Sequence, residues 1–396
     1  MTDASFPGRS TLTQDGVVVS EVTRRDFVEL YVTGLPRTTA AHAASAEARA
    51  LYASIATILA SREALVVQER LFGALTARAG VLPARRDAIA GCASFGSVPP
   101  TYLEGLPCDG DGLAGVHLWA IAPAVSGGSC PVVEIVHEGL ALGRLVEPGG
   151  LRHAYLSGVT GTTPDRPLPP PDQAWRMFET AERILGAHGF SYPQVVRTWI
   201  YIGDILAWYG SFNAVRTQAY RGFGVISDNG GRLPASTGIQ GRSPGEIACV
   251  MDLLAASAAP GADLAVNQIH NPLQNEAYAY GSSFSRAMEV VTGGARTVYV
   301  SGTASIDEWG KSIHGGEIDG QIERTVENIE ALIGTRGLTL DHIRQATVFL
   351  KRPADLGRFR SLCADTAFRR LGVCMVADVC REELLFEIDA VATGPA

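Results

Sequence analysis

One strand-end motif occurs three times in the chain, and it constrains the fold more than any other feature of the sequence. It reads LYVTGLP at 30–36, AYLSGVTG at 154–161 and VYVSGTAS at 298–305. In each copy Ser or Thr precedes Gly at the end of an apolar strand. Because similarity at a regular spacing is typical of a repeated structural unit, the sequence predicts three copies of one unit.

The elements that follow each motif are also alike. A helix with one apolar face comes next, followed by a strand, a second helix and two further strands. Apolar residues at spacings of three and four mark the buried face of each first helix. They are Leu51, Ile55, Ile58 and Leu59; Ala174, Phe178, Ala181 and Leu185; and Ile322, Val326, Ile329 and Ile333.

The unit boundaries are expected in two joints rich in small and polar residues, APAVSGGSCP at 122–131 and AASAAPGADLA at 255–265. They divide the chain into units 1–126, 127–262 and 263–396, each of ordinary domain size. The predicted fold class is α+β, with three α/β units in one chain. Two unrelated α/β domains preceded by a helical extension remain an alternative interpretation.

Charge and composition narrow the function classes for this chain of 396 residues. Its formal net charge of -8 disfavours a nucleic-acid or anionic-membrane surface but allows a small anionic substrate. The N-terminal sequence shows no secretory signal pattern, so a cytoplasmic location is expected. Seven scattered cysteines and eight histidines lack metal-site spacing, so neither a disulfide framework nor a metal site is predicted.

The last two predicted strands place acidic side chains on one face. In a strand, alternate residues share a face, so Glu387 and Asp389 lie opposite the apolar Phe386 and Ile388. The same rule predicts that Cys374 and Cys380 share a face of the preceding strand. A solvated sheet face is one explanation. If three sheets instead face one another, Glu387 is enclosed, and burial raises its pKa until it can deliver a proton near neutral pH.

This arrangement resembles the RidA/YjgF family, whose small trimeric members place their sites between subunits. The stretch FEIDA at 386–390 matches the E-I-E-A pattern of that family's last strand, with Glu387 at the first acidic position. The resemblance implies a single-chain pseudo-trimer with sheets inside and helices outside. The family's carboxylate-binding arginine, in a P-A-R-S motif, is replaced here by Thr101, Ser236 and Cys374. His117 and Val250 are expected at the position of Glu387 in the other two units, so one dominant site is predicted.

The chain resembles the chorismatases of the same fold class more closely. The similar stretches are RTWIYI at 197–202, RLPASTGIQG at 232–241, NPLQNEAYAYGSSFSRAM at 271–288, YVSGTASI at 299–306 and ADVCREELLFEIDA at 377–390. The resemblance implies cleavage of the enolpyruvyl ether of chorismate, a small anionic carboxylate, in secondary metabolism. Glu387 would donate the proton, and the chemistry requires no cofactor.

The same resemblance supplies candidate substrate-binding residues. The residues proposed to bind the substrate carboxylates are Arg197, Arg286 and the backbone amides of the loop after Ser301. The other proposed substrate-binding residues are Ser301, Gly302, Thr303, Ala304 and Ser305 of that loop, and Tyr278, Cys374 and Cys380. Cys380 corresponds to a family position that varies with product type. Arg197 could instead reach solvent, and Cys380 could be a small buried residue.

Other functions remain open at this point. The segment between the tyrosines and Ser-Phe is shorter than in chorismatases, which indicates a different carboxylate clamp or another substrate. A RidA-like enzyme acting on another unsaturated, imine or enamine carboxylic acid is one alternative, and a non-catalytic ligand-binding protein is another. A covalent pseudo-trimer is expected to be a monomer.

Overall fold

A computed structural model of the chain describes residues 10–128, 132–163, 168–227 and 231–396, with the backbone alone at 10–14. These residues form three mixed β-sheets covered by α-helices. None of the helices in this part of the chain is long and apolar enough to cross a membrane. Cys130 lies outside the described residues, and the other six cysteines are free thiols.

The first sheet is built from the N-terminal third of the chain. Its strands are β1 (Ser10–Gln14), β2 (Val17–Thr23), β3 (Phe27–Gly34), β4 (Leu65–Gly73), β5 (Thr101–Glu104) and, after the short β6 (Leu106–Pro107), β7 (Leu113–Pro123). Their order across the sheet is β1-β2-β3-β7-β4-β5. Helices α1 (Ala44–Ala60) and α2 (Arg78–Ala88) pack on one face.

The second sheet repeats this plan. Its strands are β8 (Val132–His137), β9 (Leu140–Val146), β10 (Leu151–Val159), β11 (Val195–Ile202), β12 (Ala235–Gln240) and β13 (Cys249–Ala258), in the order β12-β11-β13-β10-β9-β8. Helices α3 (Pro170–Ala187) and α4 (Ile205–Gly222) cover it. Pro170 suits the first turn of α3 because an N–H there has no partner within the helix.

The third sheet contains β14 (Ala265–Ile269), β15 (Ala287–Thr292), β16 (Ala295–Ala304), β17 (Ile343–Leu350), β18 (Gly372–Val376) and β19 (Phe386–Pro395). Its order is β14-β15-β16-β19-β17-β18-β6, so β6 joins it from the first third of the chain. Helices α5 (Ile318–Gly334), α6 (Leu356–Leu362) and α7 (Ala367–Leu371) lie on its outer face. The helix faces predicted from the sequence are the faces that pack on the sheets.

The opposite faces of the three sheets share one apolar core. Strand residues from all three sheets contribute to it, among them Trp119, Trp199 and Tyr299. The mixed α+β class and the presence of three sheets in one chain confirm that part of the prediction. The alternative of two domains behind a helical extension is wrong, because the N-terminal third forms a six-stranded sheet of its own.

Candidate active site

A cavity of about 650 Å³ lies between the second and third sheets. Helix α4 and strand β12 line one side, and the segment 280–286 with β16 and β19 lines the other. The two sheets meet here because Ser236 N donates to Ser301 Oγ at 2.8 Å and Ser285 N donates to Pro234 O at 3.0 Å. The volume is within the range of small-molecule sites, so the boundary between the two sheets can hold a ligand.

Glu387 lies in the wall of this cavity. Glu387 is 4% exposed. It lies on β19, where it pairs with Phe349 of β17 on one side and Ala304 of β16 on the other. Burial, aided by the negative charge of Asp389, raises the pKa of Glu387 to about 8, against the opposing effects of Arg197 and Arg286. Glu387 is therefore a carboxylic acid at neutral pH and can donate a proton into the cavity.

Because Gly302 has no side chain, it leaves space for the carboxyl group of Glu387. A Cβ atom built on Gly302 would collide with the carboxyl group of Glu387 and approach Thr237 Cγ2 at 3.4 Å. Any larger residue would therefore force Glu387 to move. This is the reason for glycine in the Ser-Gly motif of the third copy.

The predicted Ser-Gly-Thr-Ala-Ser segment reaches the cavity with only part of its residues. Gly302 and Ala304 line the cavity, and the three hydroxyl residues do not. Ser301 Oγ donates to Ser285 O at 2.6 Å, Thr303 Oγ1 to Ser301 O at 2.8 Å and Ser305 Oγ to Ile313 O at 3.0 Å. Those hydroxyl groups stabilise the backbone around the cavity.

Arg197 is buried behind the cavity. Its residue is 1% exposed, and its Nη2 donates to Thr237 Oγ1 at 2.6 Å and to Asp389 Oδ2 at 3.3 Å. Burial lowers its pKa to about 10, although Asp389 opposes this shift. The alternative that Arg197 reaches solvent is wrong, because β11 turns this side chain into the shared core. Arg197 does not line the cavity, and it holds Asp389 beside Glu387.

Arg286 lines the cavity, as expected, but the tyrosine beside it is Tyr280 rather than Tyr278. Tyr278 is 44% exposed. Arg286 Nη2 donates to Tyr280 Oη at 2.7 Å, and its Nε donates to Asn275 O at 2.9 Å. A 3₁₀ turn at Ala277–Tyr280 decides which tyrosine faces inward, and no residue pattern indicated that turn.

The two predicted cysteines are separated by the sheet. Cys380 lines the cavity, and burial, together with the charge of Glu387, raises its thiol pKa to about 12, so it stays a neutral thiol. Cys374 packs under the helices on the outer face, beside the apolar core there. The prediction of a shared face is wrong, because β18 ends at Val376 and regular alternation does not continue to Cys380.

Helix α4, predicted as the second helix of its unit, also forms one wall of the cavity, and none of its residues was among the predicted site residues. Tyr209, Asn213 and Thr217 lie at four-residue spacing on α4 and line the cavity, with Arg221 one turn further. Arg381 lines it from the other side. The i, i+4 spacing of polar residues on an otherwise apolar helix was the signal that could have indicated this wall.

The positions equivalent to Glu387 carry no acid. In each sheet a bulge interrupts the central pairing near the start of β4, β11 or β17. When residues are counted from the bulge in each sheet, Val250 of the second sheet and Gly115 of the first sheet occupy the position of Glu387. The assignment of His117 to this position is wrong, because the bulge sets the register and His117 corresponds to Asp389. Glu387 has no acidic counterpart in the other sheets.

Comparisons with known proteins agree with the resemblance drawn from the motifs. The family model described as Endoribonuclease L-PSP matches residues 275–394. A chorismatase of Streptomyces hygroscopicus is 30% identical over 225 residues, which are 50% of this chain and 62% of that protein. A 3-hydroxybenzoate synthase of the same organism is 30% identical over 246 residues, 54% of this chain and 66% of that protein.

A solved structure extends the agreement to most of the fold. The crystal structure of a chorismatase matches with a TM-score of 0.60 and 20% identity, over 83% of this chain and 93% of that chain. The sequence alignments span just under two thirds of the two curated relatives. The chain is thus related to the chorismatases and has their RidA-like fold.

Proposed function

We propose that the protein is a chorismatase-like enzyme that cleaves the enolpyruvyl ether of chorismate. The products would be pyruvate and a hydroxybenzoate or a dihydroxycyclohexadiene carboxylate. The observation that carries this proposal is Glu387, a protonated acid in a cavity whose other charged side chains are arginines. The relatives named chorismatase and 3-hydroxybenzoate synthase support it.

The chemistry follows from the state of Glu387. Its carboxyl group transfers a proton to the methylene carbon of the enolpyruvyl group, which leaves an oxocarbenium ion at the ether-bearing carbon. Water adds to that carbon and returns a proton to the Glu387 carboxylate. The resulting hemiketal collapses to pyruvate and the ring alcohol. If a ring hydroxyl group adds instead of water, a cyclic ketal forms. Loss of a ring hydrogen as a proton, with cleavage of one ring C–O bond, makes the ring aromatic, and opening of the ketal then releases pyruvate and leaves a hydroxybenzoate.

Nearby groups favour this proton transfer. Asp389 keeps the pKa of Glu387 high, and the buried Arg197 holds Asp389 in place. Once Glu387 has lost its proton, Arg197 and Arg286 stabilise the carboxylate by their charge. The carboxylate recovers its proton from the water that adds to the oxocarbenium ion, so the cycle needs no separate base.

The direct test is incubation of the purified protein with chorismate, with pyruvate measured by a coupled dehydrogenase assay and the ring product identified by mass spectrometry. Pyruvate release by the wild type should fall about 10²- to 10⁴-fold in Glu387→Gln, the usual contribution of a general acid. Glu330→Gln, on the exposed face of α5, is the matched control and should keep full activity. Absence of pyruvate at high enzyme concentration would refute the proposal.

A RidA-like imine or enamine deaminase is less well supported. The motifs placed Thr101, Ser236 and Cys374 at the position of that family's arginine. Strand pairing instead aligns Thr101 with Thr237 and Val373, so neither alignment puts an arginine there. Release of ammonia from a 2-imino acid without pyruvate release from chorismate would favour this alternative.

We further infer that units 1–126, 127–262 and 263–396 are equivalents of three subunits. Two boundaries repeat one contact: Asp252 Oδ1 accepts from Thr101 Oγ1 at 2.7 Å, and Asp389 Oδ2 accepts from Thr237 Oγ1 at 2.8 Å. This repetition supports a covalent pseudo-trimer.

Because such a pseudo-trimer completes its site within one chain, we predict a monomer. Size exclusion with light scattering should give about the chain mass of 41.9 kDa. A mass of two or more chains at micromolar concentration would contradict this. The cytoplasmic location stays a prediction from the sequence.

A further inference from the structure

The cavity carries an excess of positive charge. Three arginines line it, namely Arg221, Arg286 and Arg381, and Glu387 is the one acidic residue among the described residues of the lining. Since Glu387 is protonated at neutral pH, it does not neutralise them. A cavity with this charge favours a ligand that carries more than one negative charge.

Two of these arginines lie over one aromatic ring. The Cζ of Arg381 is 5.0 Å and the Cζ of Arg286 is 5.5 Å from the centroid of Tyr280. Gly310 has a φ of +78°, and a Cβ there would approach Tyr280 Cδ1 at 2.7 Å. The loop at Gly310 therefore packs closely on the ring that orders both guanidinium groups.

Neutral acceptors hold the two guanidinium groups. Arg381 Nη1 donates to Gly310 O and to Ser312 Oγ, both at 3.0 Å. Arg286 donates from Nε and Nη2 to Asn275 O and from Nη2 to Tyr280 Oη. Within the described part of the chain neither arginine forms an ion pair, although the Glu383 carboxylate acts on Arg381 at longer range. Arg286 Nη1 and Arg381 Nε and Nη2 make no hydrogen bond there. The two guanidinium groups are thus held in place, while their positive charges and remaining N–H donors are available to a ligand.

Arg197 differs on each of these points. It forms an ion pair with Asp389, donates to Thr237 and lies outside the lining. A carboxylate that recruited Arg197 would have to displace Asp389 from a fully buried pair, which is costly.

We propose that Arg381 is the second carboxylate-binding residue of this cavity, acting with Arg286 across the ring of Tyr280, and that the pair selects substrates with two carboxylates. This inference rests on the proposed function for the identity of the substrate. It assigns to Arg381 the role that sequence analysis gave to Arg197. One carboxylate would receive the free Nη1 donor of Arg286, and the other would receive the Nε and Nη2 donors of Arg381.

Calorimetric titration of the full-length protein with isophthalate and with benzoate tests the pair without any turnover. Arg381→Gln should weaken isophthalate binding about 10-fold or more, the usual effect of losing a charge-assisted pair. Benzoate, which needs one arginine, should change by less than about 3-fold. Arg381→Lys should recover part of the isophthalate affinity, because it restores the charge but not the two-donor geometry.

Arg369→Gln is the matched control, because Arg369 is exposed on α7 and lies outside the lining. It should bind both ligands like the wild type. Melting temperatures of all variants separate misfolding from a lost contact, and Arg381→Lys keeps the test valid if Arg381→Gln does not fold. With chorismate, Arg381→Gln should raise KM more than it lowers kcat.

The outcomes distinguish the two proposals. The pairing would be overturned if Arg381→Gln lost benzoate and isophthalate binding equally, or if its isophthalate binding were unchanged. It would also be overturned if the wild type bound no isophthalate. Selective loss of isophthalate binding in a protein that releases no pyruvate from chorismate would support the arginine pair and refute the chorismatase proposal.

Discussion

Glu387 acquires its raised pKa first from burial between two sheets and second from the charge of Asp389. Its pKa rises because β19 places it on the inner sheet face, between two sheets and beside Asp389. The same residue on a solvated strand face would be ionised at neutral pH. This environment determines how Glu387 responds to pH, in rate and in stability, and how much space its carboxyl group has.

The first prediction concerns pH. Because Glu387 must be protonated to donate, kcat/KM for pyruvate release should be constant at neutral pH and fall as the pH rises through about 8. A pH–rate profile from about pH 3 to about pH 10 checks this. A fall centred near the ordinary glutamate value of 4.5 would contradict it.

The raised pKa of Glu387 also affects stability. The folded protein holds this proton more tightly than the unfolded chain, so this group lowers the free energy of unfolding as the pH rises from about 4.5 to about 8. Glu387→Gln removes the effect. Its melting temperature relative to the wild type should therefore be higher at pH 8.5 than at pH 5, by calorimetry at both values.

The second prediction concerns Gly302. Gly302→Ala should reduce pyruvate release at least about 10-fold, because the new Cβ displaces the Glu387 carboxyl group and even a small misplacement of a reacting group is costly. Gly186→Ala is the control. Gly186 lies in α3, where an added Cβ would meet no atom within 4 Å. Alanine there should keep activity and raise the free energy of unfolding by up to about 1 kcal/mol. An active Gly302→Ala variant would show that the carboxyl group can relocate.

At the scale of elements, buried polar contacts fasten one sheet to another. Arg24, which follows β2, donates to Glu29 of β3 and to Thr297 of β16, and its Nη1 donates to Thr292 O at 3.0 Å. Arg24 and Glu29 are 3% and 6% exposed. This cluster joins the first sheet to the third.

We predict that Arg24→Met lowers the free energy of unfolding by about 3–5 kcal/mol, because it leaves the carboxylate of Glu29 buried without its partner. Arg242→Met is the matched control. The Arg242–Asp204 pair is exposed, so its loss should cost less than about 1 kcal/mol. Urea denaturation of both variants gives the comparison, and equal losses would contradict it.

At the scale of the whole molecule, aromatic residues from all three sheets meet around Trp119. Its ring lies 5.5 Å from Tyr31, 5.3 Å from Trp199 and 5.9 Å from Tyr299. Trp119 Nε1 also donates to Gln345 Oε1 at 2.8 Å. Contacts of this kind hold the sheets at fixed positions, and the cavity between the second and third sheets depends on them.

Trp119→Ala should therefore lower the free energy of unfolding by about 3–5 kcal/mol, as expected for a large aromatic residue lost from a core. Trp309 is 70% exposed, and Trp309→Ala should change the free energy by no more than about 0.5 kcal/mol. Chemical denaturation followed by circular dichroism checks both. A Trp119→Ala variant as stable as the wild type would show that the sheets are held together elsewhere.

The repeated order of elements, the buried helix faces and the acidic face of the last strand could all be predicted from the amino-acid sequence. These depend on local periodicity, which the chain carries residue by residue: Phe386 and Ile388 on one face, Glu387 on the other. Which side chains meet at the cavity depends instead on how the strands pair and the sheets pack. Strand register places Val250 and Gly115, and not His117, at the position of Glu387. Packing of the second sheet on the third buries Arg197, whereas Arg381 lines the cavity. The reason is physical: alternation ends where a strand ends, and contacts between distant segments depend on pairing that no local pattern encodes.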